Sequence, residues 1–209
     1  MRILLVDDHE IVRRGMKQLL VEAYPRAVFG EAGRVPEARA LLAQTKWELV
    51  LLDINLPGGS GLDLLADVRR FCKQAAMLIL SSYPEEEFAV RAFKLGASGY
   101  LTKASIGEEM LLAVKKVLAG GKYVSAALAE KLARALGNPS PEAPHETLST
   151  RELEVLRQVA TGRTVKEIAA GLFLSEKTIG TYRSRISEKL RLSTNVELAR
   201  YALQHRLVE

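Results

Sequence analysis

The chain has 209 residues, 48% hydrophobic and 26% charged, which excludes a disordered chain and allows one large domain or two ordinary ones. Its longest apolar runs, such as Ala75–Leu80, fall far short of the roughly 18–20 residues of a membrane span, and Ile3–Val6 runs straight into Asp7-Asp8, so neither a span nor a signal peptide is expected. One cysteine, Cys72, excludes an intramolecular disulfide and suits a reducing cytoplasm, His9, His145 and His205 lack zinc-site spacing, and a net charge of +5 is too mild to identify a partner.

Arg2–Val6 opens a series of brief, apolar, β-branched runs that continues at Val28–Ala32, Leu49–Asp53, Met77–Ser81 and Gly99–Thr102. Between and after them, His9–Val21, Val35–Gln44, Leu62–Phe71, Glu85–Leu95 and Ile106–Ala119 carry apolar residues at helical spacing. Five strands, each followed by a helix, predict a flavodoxin-like α/β domain: a five-stranded parallel, doubly wound sheet with helices on both faces. Ligands of such sheets bind beyond the carboxyl ends of the strands.

Ser125–Leu136 predicts one more helix, and Gly137–Glu146 carries three prolines without periodicity, the composition of a linker. Beyond it lie three S/T-x-x-E sequences, at Ser149 and Glu152, Thr164 and Glu167, and Thr194 and Glu197. In such a capping box the hydroxyl accepts from the third backbone N–H while the Glu reaches back to the cap's own N–H, so each marks a helix start. With Ser175 capping Glu176–Leu190, the C-terminal part becomes four short helices. The expected division is 1–121, a linker with one helix over 122–146, and an all-α domain over 147–209.

Asp7 and Asp8 follow the first strand and Asp53 ends the third, so neighbouring strands would bring three carboxylates to one sheet edge. Such crowding calls for a positive partner, and an oxygen-only site on loops suits Mg²⁺. Ser81 ends the fourth strand and Lys103 follows the fifth, adding a hydroxyl and an ammonium. Cation, ammonium and hydroxyl around one carboxylate are what a phosphoryl group on Asp53 would need. His9, opening the first helix, reads as a cap or surface group.

The runs LLVDDHE, LLDINLPGGSGLDLL, LILSSYPEE and GASGYLTK, in that order, resemble a response-regulator receiver domain over the whole N-terminal part. The resemblance implies that Asp53 is the phosphoacceptor and that Asp8, Asp53 and the Asn55 backbone carbonyl ligate Mg²⁺, with Asp7 assisting through a metal-bound water. It also implies that Ser81 and Lys103 hold the phosphoryl group and that Tyr100 is a switch aromatic, a position where a half-buried strand tyrosine would otherwise be ordinary.

In the C-terminal part, two short helices and a longer polar one separated by tight turns fit a helix-turn-helix whose last member enters the major groove. On Glu176–Leu190, helical spacing turns Ile179, Tyr182, Ile186 and Leu190 inward and Lys177, Thr181, Ser184 and Arg185 outward. Lys177, Arg183, Arg185, Lys189 and Arg191 concentrate positive charge there. The run LSTRELEVLRQVATGRTVKEIAAGLFLSEKTIGTYRSRISEKL resembles the LuxR-type helix-turn-helix. By that resemblance Lys177, Thr178, Thr181, Ser184 and Arg185 contact bases or phosphates, Lys166 contacts backbone phosphate and Asn195–Gln204 forms a dimer contact. Gly180 and Tyr182 depart from the lysine and histidine frequent at those positions.

Together these features resemble a NarL/FixJ-type response regulator: a cytoplasmic transcription factor, not an enzyme. A sensor histidine kinase would phosphorylate it, it would bind promoter DNA as a homodimer and it would meet RNA polymerase. An aspartyl-phosphate phosphatase would need a second acid two residues after its nucleophile, where Asn55 stands. A dinucleotide-binding protein would need G-x-G-x-x-G where Asp-Asp-His-Glu stands. A small-molecule-sensing LuxR regulator, not controlled by phosphorylation, would have no reason to carry Asp8, Asp53, Ser81 and Lys103 together.

Overall fold

The computed structural model describes residues 1–56, 59–82, 85–125, 128–130, 143–172, 174–205 and 207–208, without the side chains at 59, 60, 63, 85–87, 146 and 150. It divides into two compact units, Met1–Asn138 and Pro139–Glu209.

The first unit alternates β1 (Arg2–Val6), α1 (Glu10–Ala23), β2 (Val28–Ala32), α2 (Val35–Gln44) and β3 (Leu49–Asp53). It continues through the short strands β4 (Asn55–Leu56) and β5 (Gly59–Ser60), then α3 (Gly61–Phe71), β6 (Ala76–Ser81), α4 (Glu85–Lys94), β7 (Gly99–Thr102) and α5 (Ile106–Leu118). The five longer strands form one parallel sheet in the order β2-β1-β3-β6-β7. Strands β1, β3 and β6 are covered on both faces and read as near-continuous apolar runs, whereas the edge strand β2 is partly exposed. One face of the core joins Ile3, Leu5, Leu49, Leu51, Leu78 and Leu80 to Met16 and Leu20 of α1 and to Val114 and Val117 of α5. The opposite layer consists of α2, α3 and α4, burying residues such as Ala38, Leu42, Leu65, Val68 and Ala92. Cys72 is a buried core residue whose Sγ accepts the Trp47 backbone N–H.

Some details add to or differ from the sequence-based expectation. The hairpin of β4 and β5 sits between β3 and α3, its two-residue strands too short to leave a periodic signal. α1 starts at Glu10, with His9 as an extended N-cap residue whose side chain does not cap. Tyr100, expected as the switch aromatic, is fully buried. Of the helix expected at Ser125–Leu136, residues 128–130 are helical, and the remainder, like most of the Gly137–Glu146 linker, lies largely outside the described residues.

The second unit contains α6 (Thr150–Ala160), α7 (Val165–Gly171), α8 (Glu176–Leu190) and α9 (Asn195–Gln204). All three capping boxes form, at Ser149, Thr164 and Thr194, and Ser175 accepts from the Thr178 N–H. Their side chains satisfy N–H groups that a helix start leaves without intrahelical partners. Val155, Leu156, Ile168, Ile179, Ile186, Leu198 and Ala202 make the core.

Candidate functional site

The parallel register places Val6 beside Leu52 and Asp53 beside Leu80, so the residues leaving β1 and β3 emerge at the same sheet edge. There Asp7, Asp8, His9 and Asp53 each offer a ligand atom, all within 4.8 Å of one another. Asp7 and Asp53 are buried, while Asp8 is the more accessible acid. Lys103 Nζ answers their charge from 2.6 Å to Asp7 Oδ2 and 2.8 Å to Asp53 Oδ2, the latter as a hydrogen bond. His9 belongs to the cluster after all, with Nδ1 2.8 Å from Asp8 Oδ1 and 3.2 Å from Asp7 Oδ1 on a largely exposed side chain.

Burial raises the Asp53 carboxyl to about 6 against the opposing pull of Lys103 and of the Asn55 N–H, which donates to Asp53 Oδ1 at 3.0 Å. Burial alone would lower the Lys103 ammonium, but Asp53 and Asp7 together hold it above the usual lysine value. Asp7 Oδ2 is paired with Lys103 alone, and Asn55 Oδ1 is buried without a hydrogen-bond partner, among the described residues. Oxygen donors of this kind, on loops and short of hydrogen-bond partners, fit a hard divalent cation.

Ser81 closes β6 beside Thr102, at the same edge, and is fully buried. Tyr100 lies two residues earlier than Thr102 on β7, paired with Ile79. Gly61 starts α3 with its N–H on the Ile54 carbonyl at 2.8 Å, and a Cβ there would overlap the Asp53 carbonyl and the Ile54 backbone. A glycine is therefore needed for α3 to close against the strand end that carries Asp53. Pro57 and Gly58, expected in this turn, lie outside the described residues.

In the second unit, Ile179, Ile186 and Leu190 of α8 are buried, as their spacing implies. Lys177, Thr181, Ser184 and Arg185 are exposed, as is Lys166 on α7. Tyr182, expected inward, is only half-buried and edges a concavity with Lys177, Thr178, Thr181 and Arg185. The hydroxyls are engaged locally: Thr178 with Ser175, Thr181 on the Lys177 carbonyl and Ser184 on the Gly180 carbonyl.

Two of the clustered cations serve the fold. Lys189 Nζ pairs with buried Glu152 at 2.6 Å and also donates to the Thr147 carbonyl, while Arg183 donates to Asn195 Oδ1. Burial would raise the Glu152 carboxyl, but Lys189 and the Ser149 N–H bring it below the ordinary glutamate range. Lys177 and Arg185 remain as the outward cations of α8 that make no ion pair among the described residues. The histidines that sequence spacing keeps apart also partly converge: the His145 and His205 rings lie 5.0 Å apart, with Tyr201 between them in sequence and beside both in space.

Residues 3–115 match the response regulator receiver domain, and residues 146–202 match the bacterial regulatory proteins of the luxR family. The chain is 34% identical over 209 residues to response regulator GacA of Pseudomonas aeruginosa, covering 100% of this chain and 98% of that one. It is 32% identical over 206 residues to response regulator UvrY of Escherichia coli K12, covering 98% and 94%. A solved two-component response regulator of the LuxR family from Aurantimonas sp. SI85-9A1 is similar with a TM-score of 0.58 and 36% identity, over 66% of this chain and 98% of that one.

Proposed function

The chain belongs to the response regulators that join a receiver domain to a LuxR-type DNA-binding output, and from that membership we propose that Asp53 is its phosphoacceptor and α8 its recognition helix. The observation that carries the first assignment is the convergence of Asp7, Asp8 and Asp53 on one sheet edge with Lys103 bonded to Asp53. The receiver then spans 1–121 and the output domain 147–209, joined by 122–146.

At neutral pH the Asp53 carboxyl, with its pKa of about 6, is mostly ionised and nucleophilic. One of its oxygens forms a bond to phosphorus as the donor's own bond to phosphorus breaks, the electron pair leaving with the donor. The donor in the cell is a sensor histidine kinase. Lys103 stays beside the new phosphoryl group and balances its charge, and Ser81 donates a hydrogen bond to one of its oxygens. Asp8, Asp53 and the Asn55 carbonyl would hold Mg²⁺, with Asp7 acting through a bound water; the ion supplies further neutralisation of phosphoryl charge. Tyr100 reorients when Ser81 is drawn toward the phosphoryl group. This chemistry modifies the protein itself and turns over no small substrate, so the chain is a transcription factor and not an enzyme.

Lys177, Thr178, Thr181, Ser184 and Arg185 face bases or phosphates, and Lys166 faces backbone phosphate. Val196 and Leu203, seven positions apart on α9, stand exposed while Leu198 and Ala202 are buried, which supports α9 as the homodimer contact. Among the described residues no helix is long and apolar enough to cross a membrane; we assign the protein to the cytoplasm, where promoter-bound dimers would meet RNA polymerase.

The DNA assignment is tested by selection from a random duplex pool with the full chain treated with acetyl phosphate and Mg²⁺. Enrichment of one sequence as paired half-sites is expected, and a pool that stays random after repeated rounds would overturn it. The cation assignment has its own signature. Protons compete with Mg²⁺ for Asp53, so Mg²⁺ affinity should fall as pH drops through about 6 and level off above it. Titration calorimetry across that range measures this, and an affinity independent of pH would remove Asp53 from the ligand set.

A further inference from the structure

At the end of the sheet opposite the acidic cluster, the loops entering β3, β6 and β7 and the ends of α3 and α5 line an open concavity of about 810 Å³, within the range of small-ligand sites. Among the described residues its wall carries Lys46, Arg69, Arg70, Lys73 and Lys122 and a single acid, Glu48. That acid is already engaged: its Oε2 accepts the Arg2 N–H at 2.7 Å and lies 3.7 Å from the amino terminus. Lys46 Nζ donates to the Phe71 carbonyl at 2.6 Å, Arg69 to the carbonyls of Lys73 and Gly96, and Lys122 to that of Ala97 at 2.6 Å. None of the five cations pairs with a carboxylate among the described residues.

Cations at helix C-termini ordinarily meet the last carbonyls, and that accounts for Lys46 and much of Arg69. It leaves Arg70 and Lys73 as added charge on the same wall. The adjacent carbonyls of Gly96 and Ala97 also hold Arg69 and Lys122 side by side. Burial first, and the Arg69 charge second, bring the Lys122 ammonium below its usual value. Like charges gathered around a cavity without counter-ions are a cost that a bound anion relieves. The concavity is lined by one compact unit alone, and its volume suits a small ligand.

We propose that this concavity binds a small multivalent oxyanion, the phosphate chain of a nucleotide or a free polyphosphate. The site is distinct from the acidic edge and does not depend on the role assigned to Asp53.

Trp47, the only tryptophan in the chain, lines the concavity and so provides a local probe. The full chain, without divalent metal and at about 0.15 M salt, is titrated with tripolyphosphate and separately with ATP while Trp47 emission is followed. A saturable change is expected with at least one of them. Arg70→Glu with Lys73→Glu, both exposed positions, should weaken it at least about tenfold while leaving the circular dichroism unchanged. Equal affinities assign the site to the phosphate chain, and tighter ATP binding assigns it to a nucleotide. No saturable change with either anion, undiminished affinity in the double variant, or a response to a polyglutamate peptide alone would overturn the proposal.

Discussion

Replacing Lys103 with methionine should destabilise the metal-free N-terminal unit by about 3 kcal/mol at neutral pH, as expected for removing one partner from a buried charge network. Asp7 and Asp53 would then share a buried edge without the ammonium that now lies within 2.8 Å of both. A carboxyl whose folded pKa exceeds its unfolded value makes folding less favourable as pH rises past the unfolded value. Asp53 already titrates near 6 with Lys103 in place, so the penalty should be largest well above that pH and shrink as the protein is acidified through it. Mg²⁺ should restore part of the loss by supplying positive charge to the same oxygens. Trp47 emission during urea unfolding follows this unit alone, because the chain has no other tryptophan. Equal losses at about pH 5 and about pH 8, or indifference to Mg²⁺, would show that the lysine stabilises by packing rather than by charge.

Removing both outward cations of α8, Lys177→Ala with Arg185→Ala, should nearly abolish DNA binding at physiological salt. The plot of log K against log salt should also flatten by about 0.9 for each phosphate that the helix no longer neutralises. The fold should survive, since both side chains are exposed and make no ion pair among the described residues. Lys189→Ala would not separate the two roles, because it also strips buried Glu152 of its partner. Gly180 offers the opposite arm. A Cβ there meets no atom of the described residues within 4 Å, so none of them demands glycine. If α8 presents this face to phosphate, Gly180→Lys should steepen the slope by about 0.9. An unchanged slope in both variants would mean that the helix is rotated relative to the groove.

The architecture is legible in the sequence because each local signal agrees with the next. Strand-length apolar runs alternate with amphipathic segments, and S/T-x-x-E sequences stand at three helix starts, so element identities and most boundaries follow from spacing alone. Strand order by itself places Asp7, Asp8, Asp53, Ser81 and Lys103 at one edge. What spacing does not carry is what a neighbouring element brings. Lys189 lies on α8 within a basic run, and only the packing of α6 against α8 reveals that Glu152, thirty-seven residues earlier, neutralises it. Arg183 is diverted to Asn195 for the same reason. Helical periodicity likewise does not place Tyr182, which sits at the boundary between the buried stripe and the open face. As a helix-opening residue His9 reads as a surface group; its side chain is indeed exposed, yet the turn from β1 into α1 also brings its ring against both acids. His145 and His205 meet only because the segment before α6 folds back onto the end of α9.

The central claim, that the acidic edge exists to carry a phosphoryl group on Asp53, is tested most directly by intact-mass measurement after incubating the full chain with acetyl phosphate and Mg²⁺. The native chain should gain one phosphoryl group, and Asp53→Asn, which keeps the size of the side chain but removes the nucleophilic carboxylate, should gain none. Undiminished labelling of Asp53→Asn, or a native chain that acquires no phosphoryl group at all, would contradict that claim.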